Sequence, residues 1–257
     1  MKEKISISMD EEMLKKVDSL IDDVSIMNRS QAIEYLVRIS LEKKGIHKAV
    51  ILAGGEKEKL RFGKTFKPLV KIDNEEVVKH TVKLLKRYGI NEIIIFAGHL
   101  NNEIFNILGD GYELGVRIIY MKDKNVGTAG VLKQSQRYLQ NDFFVILGDI
   151  YFDFDLEKMI TFHYSHNKLV TLAVSTTKLK ESKDRLELEG NRVVRFDYVP
   201  ETRTFMVNAG IYILRPGIFN FLPDKGSMEK AVFPKLAQSG NIVAYNFSGN
   251  WKHIGYS

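Results

Sequence analysis

Residues 3–9 alternate strictly, with Ile5, Ile7 and Met9 on one face and Lys4, Ser6 and Ser8 on the other, which is the period of a half-buried strand. Asp10 follows as a helix cap, and Met13, Leu14, Val17, Leu20 and Ile21 then recur at helical spacing. A short connection over 25–29 leads to a second helix, starting at Ser30, with Ala32, Ile33, Leu36, Val37 and Leu41 as its apolar stripe and its end at Gly45. One strand and two helices of this length bury too little surface to be stable alone. From His47 the pattern changes: apolar runs at 49–53, 93–97, 116–120, 143–147, 170–174 and 205–214 are separated by helical patterns at 77–88, 128–139 and 156–164. Such alternation predicts an α/β fold with a mainly parallel sheet sandwiched by helices, whose ligands bind at the carboxyl ends of the strands. Gly45-Ile46-His47 marks the boundary, giving a small module at 1–46 and a large domain at 47–257.

Composition narrows the classes. The 257 residues are 44% hydrophobic and 27% charged, the balance of a globular protein. No apolar run approaches the length of a membrane span, and no export pattern opens the chain, so a cytoplasmic protein with no membrane partner is expected. Cysteine is absent, which excludes disulfides, zinc–thiolate sites and thiol nucleophiles. The net charge of +6 is unevenly placed: residues 1–47 hold eight Lys and Arg against nine Asp and Glu, the remainder 30 against 23. A polyphosphate ligand of the large domain accounts for that excess, and so does ordinary surface solubility.

The candidate chemistry begins at Lys48-Ala49-Val50-Ile51-Leu52-Ala53-Gly54-Gly55, an apolar strand ending in adjacent glycines whose N–H groups can approach a phosphate; the same pair also suits a tight turn. Lys67-Pro68-Leu69, Gly127-Thr128-Ala129-Gly130, Gly148-Asp149 and Asn208-Ala209-Gly210 follow in that order. Together these resemble the sugar-1-phosphate nucleotidyltransferases over roughly residues 47–257, which implies a Rossmann-like nucleotidyltransferase fold. The resemblance implies that Gly54, Gly55, Gly127, Thr128 and Gly130 bind the nucleotide and that Lys67 contacts the sugar phosphate. It further implies that Asp149, with His253, holds Mg²⁺ or Mn²⁺, and that Asn208, Gly210 and Glu229 bind the sugar. The substrate partner is then a nucleoside triphosphate or nucleotide sugar. This chain departs from the family pattern in four places. Lys57-Glu58-Lys59 replaces Gly-Thr-Arg, Lys122 stands where a Glu or Gln reads the base, Tyr198-Val199-Pro200 replaces Glu-Lys-Pro, and His253 replaces an Asp. Lys57, Lys59, Arg61 and Lys64 offer replacement charge.

The first segment resembles the ribbon-helix-helix DNA-binding family through its strand, its two helices and the Arg29-Ser30-Gln31-Ala32 entry to the second helix. That resemblance implies a homodimer or higher assembly through a paired ribbon, with Lys4, Ser6 and Ser8 facing base edges of double-stranded DNA and Asn28 and Ser30 holding a phosphate. A module that only dimerises fits the same pattern. Two functions follow: a metal-dependent nucleotidyltransferase fused to such a head, or a transcriptional regulator whose altered transferase domain senses a nucleotide or nucleotide sugar. A retaining-type glycosyltransferase, with a similar sheet and an aspartate metal site, stands third.

Overall fold

The computed structural model describes residues 5–21, 26–177, 185–196 and 205–255, with the side chains of 38–44, 177 and 205 left aside. Lys4 and Tyr198-Val199-Pro200 lie outside the described residues. The chain forms two compact units, Met1–Gly45 and Ile46–Ser257, so the division falls one residue before the sequence boundary; Ile46 is buried in the core of the second unit.

In the first unit, α1 (Glu11–Asp18) is capped by Asp10, whose side chain accepts the Met13 N–H at 2.8 Å. The second helix, α2 (Arg29–Lys44), begins one residue earlier than Ser30 because Asn28 takes the capping role: its Oδ1 accepts the Gln31 N–H, while Gln31 Oε1 accepts the Met27 N–H. Arg29 reaches back to Asp18 with two hydrogen bonds of 2.6 and 2.8 Å, tying α2 to α1. Among the described residues, 5–10 pair with no strand, which corrects the expected half-buried strand: Ile5 and Ile7 are 80% and 52% exposed. The physical reason is that a strand needs a partner edge, and 45 residues supply none. Among the described residues only Val17 and Ala32 are buried hydrophobics of this unit.

The second unit is built on a nine-stranded sheet. Its strands are β1 (Lys48–Leu52), β2 (Glu92–Phe96), β3 (Arg117–Met121), β4 (Phe143–Leu147), β6 (Val170–Thr177), β7 (Arg185–Glu189), β8 (Arg192–Phe196), β9 (Phe205–Leu214) and β10 (Ile242–Asn246); β5 (Ile150–Phe154) instead pairs antiparallel with β11 (Gly249–His253) in a separate ribbon. Strands β3, β2, β1 and β4 lie side by side and parallel, with Ala49 beside Ile93 on one flank and Phe144 on the other. Beyond β4 the sheet turns antiparallel through β9, which pairs with β4 and β6. The parallel half therefore carries the site. Chain order reverses between β1 and β4, since β2 and β3 extend one way and β4 the other, and this switch point leaves a crevice at the strands' carboxyl ends.

Successive residues of each central strand face opposite sides, and both sides are buried. Ala49, Ile51, Ile93, Ile95 and Ile146 pack beneath α3 (Val77–Arg87) and α4 (Asn101–Leu108) through Val82, Leu85 and Ile104. On the other side, Val50, Leu52, Ile94 and Val145 meet α5 (Gly127–Lys133) and α7 (Phe233–Gln238) through Leu132, Phe233 and Leu236. A further helix, α6 (Leu156–His166), is capped by Asp155 and adds Leu156 and Met159 to the first core. The helix expected over 128–139 divides into α5 and a separate turn at Gln136–Tyr138: Gln134 and Ser135 donate to carbonyls three residues back, which tightens the backbone out of the α-helix.

Candidate functional site

The carboxyl end of β1 delivers Gly54 and Gly55, and the carboxyl end of β4 delivers Asp149. Gly148 brings the two ends together: a Cβ there would stand 2.6 Å from Ala53 Cα, so only glycine permits this approach, and the Gly148 N–H donates to Leu52 O at 2.8 Å. Gly54 is equally confined, because a Cβ would fall 2.4 Å from Asp123 Oδ2 and 3.0 Å from the Gly98 nitrogen.

Around Asp149 the structure collects three side chains from separate parts of the chain. Lys67 Nζ and His253 Nε2 each lie 3.3 Å from Asp149 Oδ2, and all three side chains are less than one-fifth exposed. Lys67 arrives on a single tight turn with Pro68 buried behind it, His253 at the last residue of β11, where it pairs with Ile150 of β5. The Ile254 N–H donates to Asp149 O at 2.8 Å, and Gly255, at φ +114°, leaves room for the Lys67 side chain. Burial holds the His253 imidazole below its ordinary pKa; Asp149 opposes that shift and Lys67 reinforces it. The ring is therefore biased to its neutral, electron-donating form.

A divalent cation fits this donor set. Asp149 supplies a hard oxygen and neutral His253 a nitrogen lone pair, leaving the remaining positions to phosphate oxygens and water as such ions require. The imidazole tilts the pair toward Mn²⁺ over Mg²⁺. No group of three or more His, Cys, Asp or Glu residues able to hold a metal by itself occurs among the described residues.

Beside Gly54 and Gly55 lies a cavity of about 140 Å³. Leu52, Phe96 and Val131 form its apolar wall; Glu56, Asp123 and Asn125 supply polar groups, and Gly127 and Thr128 close it at the start of α5. None of Lys57, Lys59, Arg61 and Lys64 lines it; Lys59 is instead engaged with Glu56 at 2.7 Å. Lys122 is also exposed and outside the lining, whereas its neighbour Asp123 lies within. Glu56, Phe96, Asp123 and Asn125 were not legible as site residues. The one available signal was Asp-x-Asn as a turn: Asp123 Oδ1 accepts the Asn125 N–H at 2.7 Å, with Asn125 at φ +54°.

The other glycine-loop residues have packing duties. A Cβ on Gly127 would meet Gly226 O at 2.4 Å, and one on Gly130 would meet Asp224 O at 2.3 Å, so α5 seats directly on the 224–226 backbone. Thr128 does not cap α5. Its hydroxyl donates to Glu229 Oε2 at 2.9 Å and accepts the Met228 N–H. Glu229 sits in a π-helical turn, Met228–Val232, and is buried, accepting also from Ser227 and from Tyr212. Asn208 donates to Tyr212 and its Oδ1 accepts the Gly210 N–H. Asn208 and Glu229 are thus joined through Tyr212 into one internal network. Gly210 is required by shape, at φ +75° with Ile150 Cγ1 2.9 Å from the position of a Cβ.

A family model described as Nucleotidyl transferase matches residues 48–257. The chain is 32% identical over 223 residues to the mannose-1-phosphate guanylyltransferase catalytic subunit beta of Xenopus tropicalis, covering 81% of this chain and 61% of that protein. It thus spans about three-fifths of the length of the curated relatives it matches. In fold it matches the crystal structure of HddC from Yersinia pseudotuberculosis, with a TM-score of 0.70 at 24% identity over 82% of this chain and 94% of that one. It also matches the inositol-1-phosphate CTP transferase from T. maritima, with a TM-score of 0.63 at 21% identity over 82% and 89%.

Proposed function

Because the chain belongs to the nucleotidyl transferase family, we propose that its large domain transfers a nucleotidyl group from a nucleoside triphosphate to the phosphate of a phosphorylated sugar or similar small metabolite, releasing pyrophosphate. The observation that carries this reading is the meeting of Lys67, Asp149 and His253 at the carboxyl end of β4, beside the glycines that end β1.

The transfer forms one bond, from a sugar-phosphate oxygen to the α-phosphorus, and breaks the bond from that phosphorus to the pyrophosphate oxygen. Both partners are anions, so the residues must bring like charges together and hold them in line. Gly54 and Gly55 offer backbone N–H groups where the nucleotide phosphates pass between cavity and Asp149. Lys67 sets its ammonium against the incoming sugar phosphate. Asp149 and His253 would hold a divalent cation, which when bound neutralises phosphate charge. Asn208 and Glu229 act on the sugar side by fixing the backbone through their shared network rather than by presenting free donors. Pyrophosphate release from a nucleoside triphosphate, dependent on an added sugar 1-phosphate, tests the reading.

The first unit adds a second activity to this one. Ile5 and Ile7 lie exposed on one face of an unpaired segment, with Met13, Tyr35, Leu36 and Val37 also exposed in the same small unit. A second copy of the chain covers these groups if the two segments pair as an antiparallel ribbon. Ser6 and Ser8 then share the opposite face, and Lys4 continues it in sequence, where double-stranded DNA would be read; Asn28 and Ser30, exposed at the start of α2, would meet its phosphates. In that arrangement the large domain also serves as a nucleotide-responsive part of a DNA-binding regulator. The full chain is expected to sediment as a dimer or larger species. Ile5→Lys combined with Ile7→Lys yields a smaller species that no longer binds duplex DNA in a salt-sensitive manner. Unchanged assembly contradicts the ribbon.

A further inference from the structure

The cavity beside Gly54 is lined by two carboxylates and, among the described residues, by no lysine, arginine or histidine. That is a poor place for a triphosphate: a phosphate seated there would meet Asp123 with charge of the same sign. It is a good place for the uncharged end of a nucleotide, since Leu52, Phe96 and Val131 offer apolar surface to the flat face of a base and Asp123 and Asn125 add polar groups to the same lining. The phosphates then run outward past Gly55 toward Lys67 and Asp149.

The two carboxylates differ. Glu56 is exposed and engaged by Lys59. Asp123 is half-buried, its Oδ1 is fixed by the Asn125 N–H, and its Oδ2 lies against Gly54, where a Cβ would come within 2.4 Å of it. The side chain is held in place by the backbone on both sides, and its remaining lone pairs can accept but not donate. Guanine alone among the common bases presents two adjacent donors, N1–H and the N2 amino group. Adenine and cytosine each set a donor beside an acceptor, and uracil and thymine set one N–H between two carbonyls.

We infer that Asp123 is the residue that selects the base, and that the nucleotide is a guanine nucleotide held through N1–H and the N2 amino group. The inference rests on the nucleotide-site reading above and assigns to Asp123 the task that Lys122, outside the cavity, does not perform.

The test is calorimetric titration of the full chain with GTP, ITP, ATP and UTP in the presence of Mn²⁺, repeated with Asp123→Asn and extended to XTP. Inosine lacks only the N2 amino group, so ITP should bind about 10-fold or more weaker than GTP, as should ATP and UTP. Asp123→Asn keeps the acceptor for the Asn125 N–H but replaces one acceptor by a donor. GTP affinity should fall about 10- to 100-fold, and XTP, whose N1–H lies beside a carbonyl, should become the preferred ligand. Equal binding of GTP and ITP, or a base preference that Asp123→Asn does not alter, overturns the role of Asp123 and leaves the nucleotide site standing. Binding of no nucleotide at all overturns both.

Discussion

Asp149→Asn reduces pyrophosphate release at least about 100-fold while the protein remains folded. The two side chains are nearly equal in shape, and the residue's main-chain contact, the Ile254 N–H to Asp149 O, is unaffected. What is lost is a charge. The amide no longer holds the Lys67 ammonium or shares a cation with His253, both of which meet the same carboxylate oxygen. Nucleotide affinity measured with Mn²⁺ should fall, while affinity measured with a chelator, which depends on the glycines and the base cavity, should persist. Equal Mn²⁺-dependent affinity in both proteins would show that Asp149 does not attract a metal nucleotide.

Gly148→Ala destabilises the large domain by about 2–3 kcal/mol. The added methyl would overlap Ala53 Cα and Cβ, which belong to the backbone core and have no free rotamer to yield. Relief requires the ends of β1 and β4 to separate, the separation that sets Gly54 apart from Asp149. A lowered urea midpoint together with lost turnover is expected. A variant with unchanged stability would mean that the strand ends part easily and that their close approach is not what positions the site.

The sequence made the parallel half of the fold legible because its strands are continuous apolar runs, buried on both faces, with helices of clear periodicity between them. The glycines that end the first strand and the carboxylate of Asp149 were legible for the same reason: each lies within two residues of the end of such a run. The ribbon of β5 with β11 was not, because it pairs residues about a hundred positions apart, and His253 reaches Asp149 only through that pairing. Asp123 was hidden among Lys122 and Lys124, where a charged loop reads as solvated; its place in the cavity depends on the close approach of Gly54 and Gly98. Thr128 and Glu229 were identified by resemblance, but their hydrogen bond to one another joins residues 101 positions apart, a distance that local pattern does not bridge. The segment at 5–9 alternates as a strand does, yet alternation specifies only a face and not a partner edge, and no strand among the described residues pairs with it.

Coupled measurement of pyrophosphate release across the four common nucleoside triphosphates and a panel of sugar 1-phosphates, with Mn²⁺ or Mg²⁺, decides whether this domain turns over nucleotides. Release is expected to require both substrates and a divalent cation and to be lost in Asp149→Asn. Tight nucleotide binding with no pyrophosphate released in any combination would contradict nucleotidyl transfer by this domain.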